Sequence, residues 1–475
     1  MKQYVMLAMA LVMVSSRVCA QNGEFSPSPV PDRIILTLTA TPASSQAVSW
    51  RTDTSVTQAQ AQFAQATGSP DFRKSVKTIW ATSSFFENIP HLEDHVVAKQ
   101  HELVFTDLKP DTKYAYRVGD GSHWSEWFHF TTARADAGPV SFLYFGDSQT
   151  ELKSMWSRVV REAYGTMPQV DFMLHAGDLI NRSNRDSEWG EWYHAAGWIN
   201  GSVPSVMTPG NHEYYDSVAG DRLDRHKKLS PYWQQSFRLP ENGPAGIPEL
   251  RETVYFIDYH DMRLISLNSC AARYHPETME VQRQWLEKVL KNNPKKWTVV
   301  THHFPLYSAR KGPENLKLRT ALQPLYEQYG VDLVLQGHDH TYGRGTNKDY
   351  GAQYKGDKGP VYVVSVSGPK MYDSSFYPWV DRSASNTQLY QLIKIEDNTL
   401  RYEAYTAIGD LYDAFELQKD YRGRNTFSEQ APQGVKEAVD LPLKRTKDWT
   451  DADFDDYEKR FKAYKKRKQG KTKGD

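Results

Sequence analysis

Cysteine is scarce in this sequence, which contains only Cys19 and Cys270. Cys19 lies in a candidate signal segment, so cleavage of that segment would leave Cys270 alone. A single cysteine excludes an intrachain disulfide, even in an oxidising compartment. Cys270 follows the strand-like stretch Arg263–Asn268, and we therefore predict that it packs at the edge of a core rather than acting as a nucleophile.

An excess of charge and a long hydrophobic run are also absent. The 58 basic residues balance the 58 acidic ones, so nothing favours a nucleic-acid partner over the whole surface and none is expected. The N-terminal apolar run Val5–Val14 is shorter than the roughly 20 residues that span hydrocarbon, so we predict no transmembrane anchor.

The same run has the features of a secretory signal. Lys2 supplies a positive start, and Val18-Cys19-Ala20 is a small-residue cleavage sequence. We predict a signal peptide over residues 1–20, cleaved after Ala20, and hence a secreted or periplasmic protein. A lipoprotein signal at Cys19 is the alternative, but Arg17 and Val18 fit it poorly.

The rest of the chain divides into three parts. Short alternating segments separated by turns predict an all-β sandwich over residues 25–133. Strand-like and helix-like segments then alternate, which predicts an α/β domain over residues 140–420. Residues 421–475 form a C-terminal extension in which Lys459–Lys473 holds nine basic and no acidic residues. Attachment to an anionic membrane or polymer is one interpretation; we favour a frayed, solvated helix end and a disordered tail.

Five short segments carry side chains that bind divalent metals. They are Gly146-Asp147, Gly177-Asp178, Gly210-Asn211-His212-Glu213, Thr301-His302-His303 and Gly337-His338-Asp339-His340. Four of them follow apolar runs that predict strands. Because α/β folds present ligands outside the carboxyl ends of parallel strands, these side chains can converge on one site. Each residue taken singly is explained about equally well as a turn or loop residue, but the set favours a metal centre.

The five segments, in this order, resemble the signature of the calcineurin-like metallophosphoesterases. The β-domain in front of them makes the arrangement most similar to purple acid phosphatases with a fibronectin type III-like N-terminal domain. The resemblance covers roughly residues 31–417. It implies a four-layer α/β/β/α sandwich preceded by an all-β sandwich, and hydrolysis of phosphate esters by a water activated at two divalent metal ions, Mn, Fe or Zn.

The resemblance also implies a role for each site residue. The first metal would be bound by Asp147 and His340, the second by Asn211, His303 and His338, and both by a bridging Asp178. His303 is preferred to His302 because the family places its histidine two residues before a proline, here Pro305. His212 matches a histidine that contacts the phosphoryl group and assists protonation of the leaving group, so we predict that His212 and Asp178 are catalytic.

Three further residues are candidates for substrate contacts. His302, beside the predicted ligand, is interpreted as a substrate-side or supporting residue. Tyr215 and Tyr307 lie in loops that follow predicted strands, where binding residues are common.

Two positions depart from the purple enzymes. The tyrosine that binds ferric iron three residues after the bridging aspartate is replaced by Asn181. Gln149 stands two residues after the first aspartate, where purple enzymes have glycine, and it is a further candidate ligand. We therefore expect a colourless enzyme with divalent ions.

The function predicted from these observations is hydrolysis of small-molecule phosphate monoesters. A phosphodiesterase using the same metals is the alternative among enzymes. A non-catalytic binding or adhesion protein is the alternative of a different class, and the intact ligand set argues against it.

Overall fold

The computed structural model describes residues 23–88, 95–218, 224–312, 314–346, 359–439 and 449–471. The predicted signal peptide, including Cys19, lies outside these residues. Within them, no helix combines the length and apolar character that a membrane crossing needs.

The N-terminal part is a sandwich of antiparallel sheets. Its strands are β1 (Asp32–Thr37), β2 (Gln46–Thr52), β3 (Gln60–Gln65), β4 (Lys77–Trp80), β5 (Thr82–Glu87), β6 (Val97–Phe105), β7 (Lys113–Gly119) and β8 (Phe128–Thr131). One layer has the order β1-β2-β6-β5 and the other β4-β3-β7-β8. Trp50, Phe105 and Tyr116 are buried between them, because alternate residues of each strand face inward. The predicted all-β domain is confirmed.

The second part contains parallel strands and helices in alternation. The strands are β9 (Val140–Phe145), β10 (Phe172–His175), β11 (Ser205–Met207), β12 (Tyr214–Asp216), β13 (Lys227–Leu229), β14 (Tyr255–Tyr259), β15 (Met262–Ser266), β16 (Trp297–His302), β17 (Leu333–Gln336), β18 (Tyr342–Gly345), β19 (Val361–Val364), β20 (Arg382–Ala384), β21 (Leu389–Glu396), β22 (Thr399–Thr406), β23 (Leu411–Lys419) and β24 (Asn425–Glu429). The helices are α1 (Ser157–Thr166), α2 (Asp186–Ala196), α3 (Pro231–Ser236), α4 (Ser269–Tyr274), α5 (Glu277–Lys291), α6 (Leu316–Gln328) and α7 (Asp451–Lys471).

Two sheets pack face to face in this part of the described chain. One has the order β24-β23-β22-β21-β9-β10-β11, and the other β14-β15-β16-β17-β19-β18-β20. In the second sheet, Val299 and Leu335 face the first sheet, whereas Val300 and Val334 pack with α5, α6 and α7. With α1 and α2 covering the other sheet, the predicted α/β/β/α layering is confirmed.

The sandwich and the layered domain share a continuous sheet. Strand β1 pairs in parallel with β11, with Thr37 opposite Ser205. The described strands of the first sheet and of one sandwich layer therefore form a single sheet in the order β24-β23-β22-β21-β9-β10-β11-β1-β2-β6-β5. Buried ion pairs add to this contact, since Arg33 and Arg51 both reach Asp186 of α2, at 2.7 and 3.3 Å. The sandwich is therefore fixed against the layered domain.

Two described parts of the C-terminal extension, residues 425–429 and 451–471, form regular elements. Strand β24 pairs with β23 and extends the first sheet. Helix α7 packs against the helical side of the second sheet through the buried Tyr457 and Tyr464. Arg460 Nη1 donates to the carbonyl of Ser375 over 2.5 Å, and Tyr464 hydroxyl donates to Glu437 over 2.8 Å. The favoured interpretation of residues 459–471 as a frayed, solvated end is therefore wrong; residues 472–475 lie outside the described ones.

Cys270 is completely buried in the core between the second sheet and the helices that cover it. Its Sγ lies 3.8 Å from the carbonyl of Pro209, and burial raises the pKa of the thiol well above its ordinary value. The prediction of a packing residue is confirmed, because a protonated, enclosed thiol is a poor nucleophile.

Candidate metal centre

The five polar segments lie at the carboxyl ends of neighbouring parallel strands. Asp147 follows β9, Asp178 follows β10, and Asn211 follows β11 in the first sheet. His303 follows β16, and His338 and His340 follow β17 in the second. Because the two sheets pack face to face, their strand ends open onto the same edge, and the predicted ligands come together there.

Tight turns bring these ligands close. Asp178 and His338 have left-handed backbones, with φ of 52° and 73°, which cost energy in residues other than glycine. A Cβ on Gly177 would lie 2.5 Å from the amide of Gly210. One on Gly337 would lie 2.4 Å from Asp147 Oδ1. Glycine is therefore required at both positions for the loops to approach.

Among the described residues, the donor atoms fall into two overlapping clusters. The first cluster is Asp147, Asp178 and His340, and the second is Asp178, His303 and His338. Within each cluster the donor atoms lie within 4.8 Å of one another. Asp178 belongs to both, as expected of a residue that bridges two ions.

In the second cluster, Asn211 completes the set of donors. Its Oδ1 lies 3.1 Å from His303 Nε2 and 2.9 Å from His338 Nδ1. Asp178 Oδ2 lies 3.3 Å from the same His303 nitrogen. One carboxylate oxygen, one amide oxygen and two imidazole nitrogens thus face a common point.

In the first cluster, Gln149 lies among the predicted ligands. His340 Nε2 is 3.2 Å from Asp147 Oδ2. The side-chain amide of Gln149 lies 3.2 Å from the same His340 nitrogen and 3.0 Å from Asp178 Oδ2. Its position therefore suits either a ligand or a hydrogen-bond donor to the ligands.

Backbone carbonyls orient the imidazole rings. His303 Nδ1 lies 2.9 Å from the carbonyl of Ala176, and His340 Nδ1 lies 2.9 Å from that of Lys370. A proton held on each Nδ1 by these contacts leaves Nε2 with its lone pair toward the centre. Such contacts fix the tautomer of metal-binding histidines.

Charges within the centre set the protonation of its groups. Burial opposes the protonation of His303, but the carboxylates of Asp178 and Asp147 outweigh it and raise its pKa to about 10. Burial, with the Lys370 charge, lowers the pKa of His340 to about 3. Burial opposes ionisation of Asp178, yet His303 holds the pKa of that carboxyl below its usual range. A divalent ion would therefore replace the proton of His303.

The residues present fit a pair of cations. Asp147 Oδ2 and Gln149 Oε1 are buried and have no hydrogen-bond partner, although buried polar atoms are normally paired. A metal ion bound by Asp147 and His340, whose Nε2 lies 3.2 Å from Asp147 Oδ2, would satisfy that carboxylate oxygen. The mixture of carboxylate, amide and imidazole donors suits Zn, Mn or Fe.

Glu213 supports the centre and was not predicted. Its carboxylate accepts the backbone N–H groups of Asp178, Leu179 and Gly210 at 2.9, 2.8 and 2.6 Å. Burial, followed by the nearby charge of Asp178, raises its pKa to about 7. The signal was present in the sequence, because Glu213 closes the segment Gly210-Asn211-His212-Glu213.

His212 lies at the rim of the centre. Its Nδ1 is 2.6 Å from the carbonyl of Asn181, and its Nε2 is 3.9 Å from Asp178 Oδ2. The side chain is 26% exposed, so Nε2 can meet a bound substrate. Asn181 itself is held by the carboxylate of Glu188, which accepts its backbone N–H over 2.7 Å.

Two of the three candidate substrate contacts are buried, and for His302 burial favours the supporting role over the substrate-side one. His302 is fully buried and stacks on Tyr326 of α6, 6.2 Å away, because alternate residues at the end of β16 face opposite sides of the sheet. Tyr307 is also fully buried and packs on Tyr362 at 5.1 Å. Tyr215 is half-buried on β12, and its contact with substrate stays a prediction.

Two family models match the chain. One describes a purple acid phosphatase N-terminal domain and matches residues 31–132. The other describes a calcineurin-like phosphoesterase and matches residues 140–342.

Curated proteins and solved structures resemble the chain over most of its length. Acid phosphatase type 7 from Danio rerio is 26% identical over 372 residues, covering 68% of this chain and 78% of the relative. Purple acid phosphatase 21 from Arabidopsis thaliana is 30% identical over 277 residues, covering 57% of this chain and 58% of the relative. A purple acid phosphatase from yellow lupin (Lupinus luteus) seeds superposes with a TM-score of 0.67 at 20% identity, covering 83% of this chain and 75% of that chain.

Proposed function

Because the chain joins a calcineurin-like phosphoesterase domain to a purple acid phosphatase N-terminal domain, it is a metal-dependent phosphoesterase, and we propose that it hydrolyses phosphate monoesters at a dinuclear centre. The observation that carries the proposal is the pair of clusters that share Asp178. When bound, a pair of divalent ions supplies an activated water and neutralises the phosphoryl oxygens.

The charges of the ligands favour a doubly negative substrate. Asp147 and Asp178 are the two carboxylates of the clusters, whereas Asn211, His338 and His340 bind as neutral groups. Two carboxylates leave part of the charge of two divalent ions uncompensated. A phosphate monoester dianion gains more from that positive charge than a diester monoanion does.

His212 is proposed to protonate the leaving group. The carbonyl of Asn181 holds a proton on Nδ1, so the second proton of the imidazolium sits on Nε2, which faces Asp178 and the open side of the centre. Nε2 can donate that proton to the alcohol oxygen as the ester bond breaks.

The metals are proposed to be divalent Mn, Fe or Zn. The position of the ferric-iron tyrosine is occupied by Asn181, an amide that cannot give the anionic oxygen preferred by ferric iron. Protein purified without added metal should contain two such ions per chain and show no strong visible band. A purple absorption band would contradict this.

We also propose that the protein acts outside the cytoplasm. The support is the N-terminal sequence, in which Lys2, the apolar run Val5–Val14 and Ala20 have the arrangement of a cleaved signal. Expression of the full chain, fractionation and N-terminal sequencing should recover mature protein beginning at Gln21. Intact Met1 in a cytoplasmic fraction would contradict the proposal.

The proposed reaction is tested by comparing two chromogenic esters. Metal-loaded protein should hydrolyse p-nitrophenyl phosphate with a higher kcat/KM than the bis-p-nitrophenyl diester, and chelation should abolish both activities. A preference for the diester would make the protein a phosphodiesterase. Absence of hydrolysis of both esters by protein that holds two metals would favour the binding or adhesion alternative.

A further inference from the structure

One side of the metal centre is formed by two loops that pair with each other. Residues 308–312 and 370–376 form a short antiparallel bridge at Arg310 and Ser374, and the backbone N–H of Ser375 donates to the carbonyl of Ala309 over 2.7 Å. The N–H of Tyr372 donates to the carbonyl of His340 over 2.7 Å. The second loop is thus attached to a predicted ligand of the first metal.

These loops carry two cations. We use the name cationic wall for Arg310, Lys370 and the ring of Tyr372 between them. The guanidinium carbon of Arg310 lies 5.4 Å, and Lys370 Nζ 5.7 Å, from the centre of that ring. The ring in turn lies 4.7 Å from the ring of His340, so the wall stands directly beside the first cluster.

Arg310 is held in place by a buried acid. Its Nε donates to Asp339 Oδ1 over 2.8 Å, while Asp339 Oδ2 also accepts the Ser308 hydroxyl and the Ala309 N–H at 2.8 and 2.7 Å. Asp339 is almost fully buried, whereas the Arg310 side chain is 30% exposed. The hydrogen bond from Nε to Asp339 therefore fixes the orientation of the guanidinium group. Its Nη2 lies 3.5 Å from Nε2 of His338, a residue of the second cluster.

Lys370 is oriented through its backbone. Its carbonyl faces His340 Nδ1 at 2.9 Å, which places the residue next to the first cluster. The side chain is half-buried. Arg310 thus contacts His338 of the second cluster through its side chain, and Lys370 contacts His340 of the first through its carbonyl.

We propose that Arg310 and Lys370 bind the second negative charge of a phosphate monoester and so strengthen the preference for monoesters over diesters that the metal charge favours. The inference rests on the proposed phosphatase function. A monoester dianion presents a further charged oxygen that a diester replaces by an esterified one. Arginine, with its fixed fork of N–H donors, suits such phosphoryl oxygens, and a partly dehydrated wall strengthens the attraction.

The test compares Arg310→Gln and Lys370→Gln with the wild type on the two nitrophenyl esters. Loss of one hydrogen bond to a charged group should raise KM for the monoester by roughly tenfold or more. KM for the diester should change by less than about threefold, because the diester lacks that charge. Calorimetry of metal-loaded protein with inorganic phosphate should show the same loss of affinity without any turnover.

The control variant is Arg401→Gln. Arg401 also pairs with a carboxylate, Glu403, at 2.9 Å, and its side chain is 51% exposed on β22, in the outer part of the first sheet. It should leave KM for both esters and the affinity for phosphate unchanged.

A purely structural role for Arg310 gives a different result. If the Arg310–Asp339 pair only holds the loops together, Arg310→Gln lowers kcat/KM for both esters equally, and Lys370→Gln has no effect. If Arg310→Gln does not fold, Arg310→Lys is the variant to measure. It keeps the positive charge and should therefore retain part of the preference for the monoester. Equal effects on both esters, or unchanged phosphate affinity, would overturn the inference. Absence of any wild-type activity would instead overturn the proposed function.

Discussion

The two metal clusters differ in how their donor atoms are satisfied. In the second cluster, Asn211 Oδ1 contacts both His303 and His338 at 3.1 and 2.9 Å, so the donors already have one another as partners. In the first cluster, Asp147 Oδ2 and Gln149 Oε1 are buried without a hydrogen bond. A metal ion in the first cluster would therefore satisfy Asp147 Oδ2, which accepts no hydrogen bond from the described residues.

The same contrast appears in the sequence. The second cluster has the expected residue at Asn211, His303 and His338, whereas Gln149, one of the two departures from the purple enzymes, contacts the first. Variation in metal chemistry is thus expected at the first cluster, while the second keeps a fixed set of ligands.

The largest effect on metal content and activity is expected for Asp178, the residue that belongs to both clusters. Asp178→Ala removes the carboxylate common to both, so both metals should be lost and kcat/KM should fall by roughly 10³-fold or more. Elemental analysis and the monoester assay measure the two effects. Retention of one tightly bound metal and substantial activity would show that the clusters act independently.

A smaller effect, confined to one metal, is expected for ligands of a single cluster. Gln149→Ala should weaken only the first metal, and Asn211→Ala only the second, each by roughly 10- to 100-fold. Titration of metal-free protein, followed by calorimetry, separates the two affinities. If Gln149→Ala leaves both affinities unchanged, Gln149 is not a ligand and does not support one.

The dependence of stability on pH should differ between metal-free and metal-loaded protein. The pKa of His303 is raised to about 10, from an unperturbed value of about 6.5. The contact of protonated His303 with the carboxylates of Asp178 and Asp147 therefore contributes its full stabilisation below about pH 6.5. This stabilisation is lost as the pH rises through about 10. The melting temperature of metal-free protein should fall over this range by a few degrees.

Metal-loaded protein is the control for this experiment. A metal holds His303 in its neutral form at all these pH values, so its melting temperature should not show the same fall. Parallel curves for the two forms would mean that His303 does not carry the proton that the metal replaces.

The smallest effect on folding and activity is expected for a substitution that tests whether the protein can become coloured. Asn181→Tyr restores the tyrosine position of the purple enzymes beside the first cluster. Loading with ferric iron should then produce a visible charge-transfer band in the variant but not in the wild type, with little change in folding. A colourless variant would mean that residue 181 does not reach the first metal.

The sequence predicted which side chains come together better than it predicted the contacts around them. Each ligand follows an apolar run, and the carboxyl ends of parallel strands meet at one edge, so Asp147, Asp178 and His303 could be grouped without a structure. His302 could not be excluded, because both faces of β16 are buried and the usual alternation of polar and apolar residues is missing.

The docking of helix α7 was missed for a different reason. Tyr457, Phe461 and Tyr464 have the spacing of an apolar helical stripe, but the basic residues around them suggested a solvated tail. The cationic wall was also hidden, since Arg310 and Lys370 are distant in sequence and meet only through the pairing of two loops.

The strand pair that joins the two domains has a consequence for the order in which the protein is made. Strand β1 leaves the ribosome well before β11, its parallel neighbour, and domains generally fold from the N-terminus during synthesis. The nascent sandwich therefore presents the free edge of β1 until Ser205 has emerged. Because an uncovered edge can recruit strands from other chains, residues 25–133 produced alone should self-associate, whereas β11 covers this edge in the whole protein.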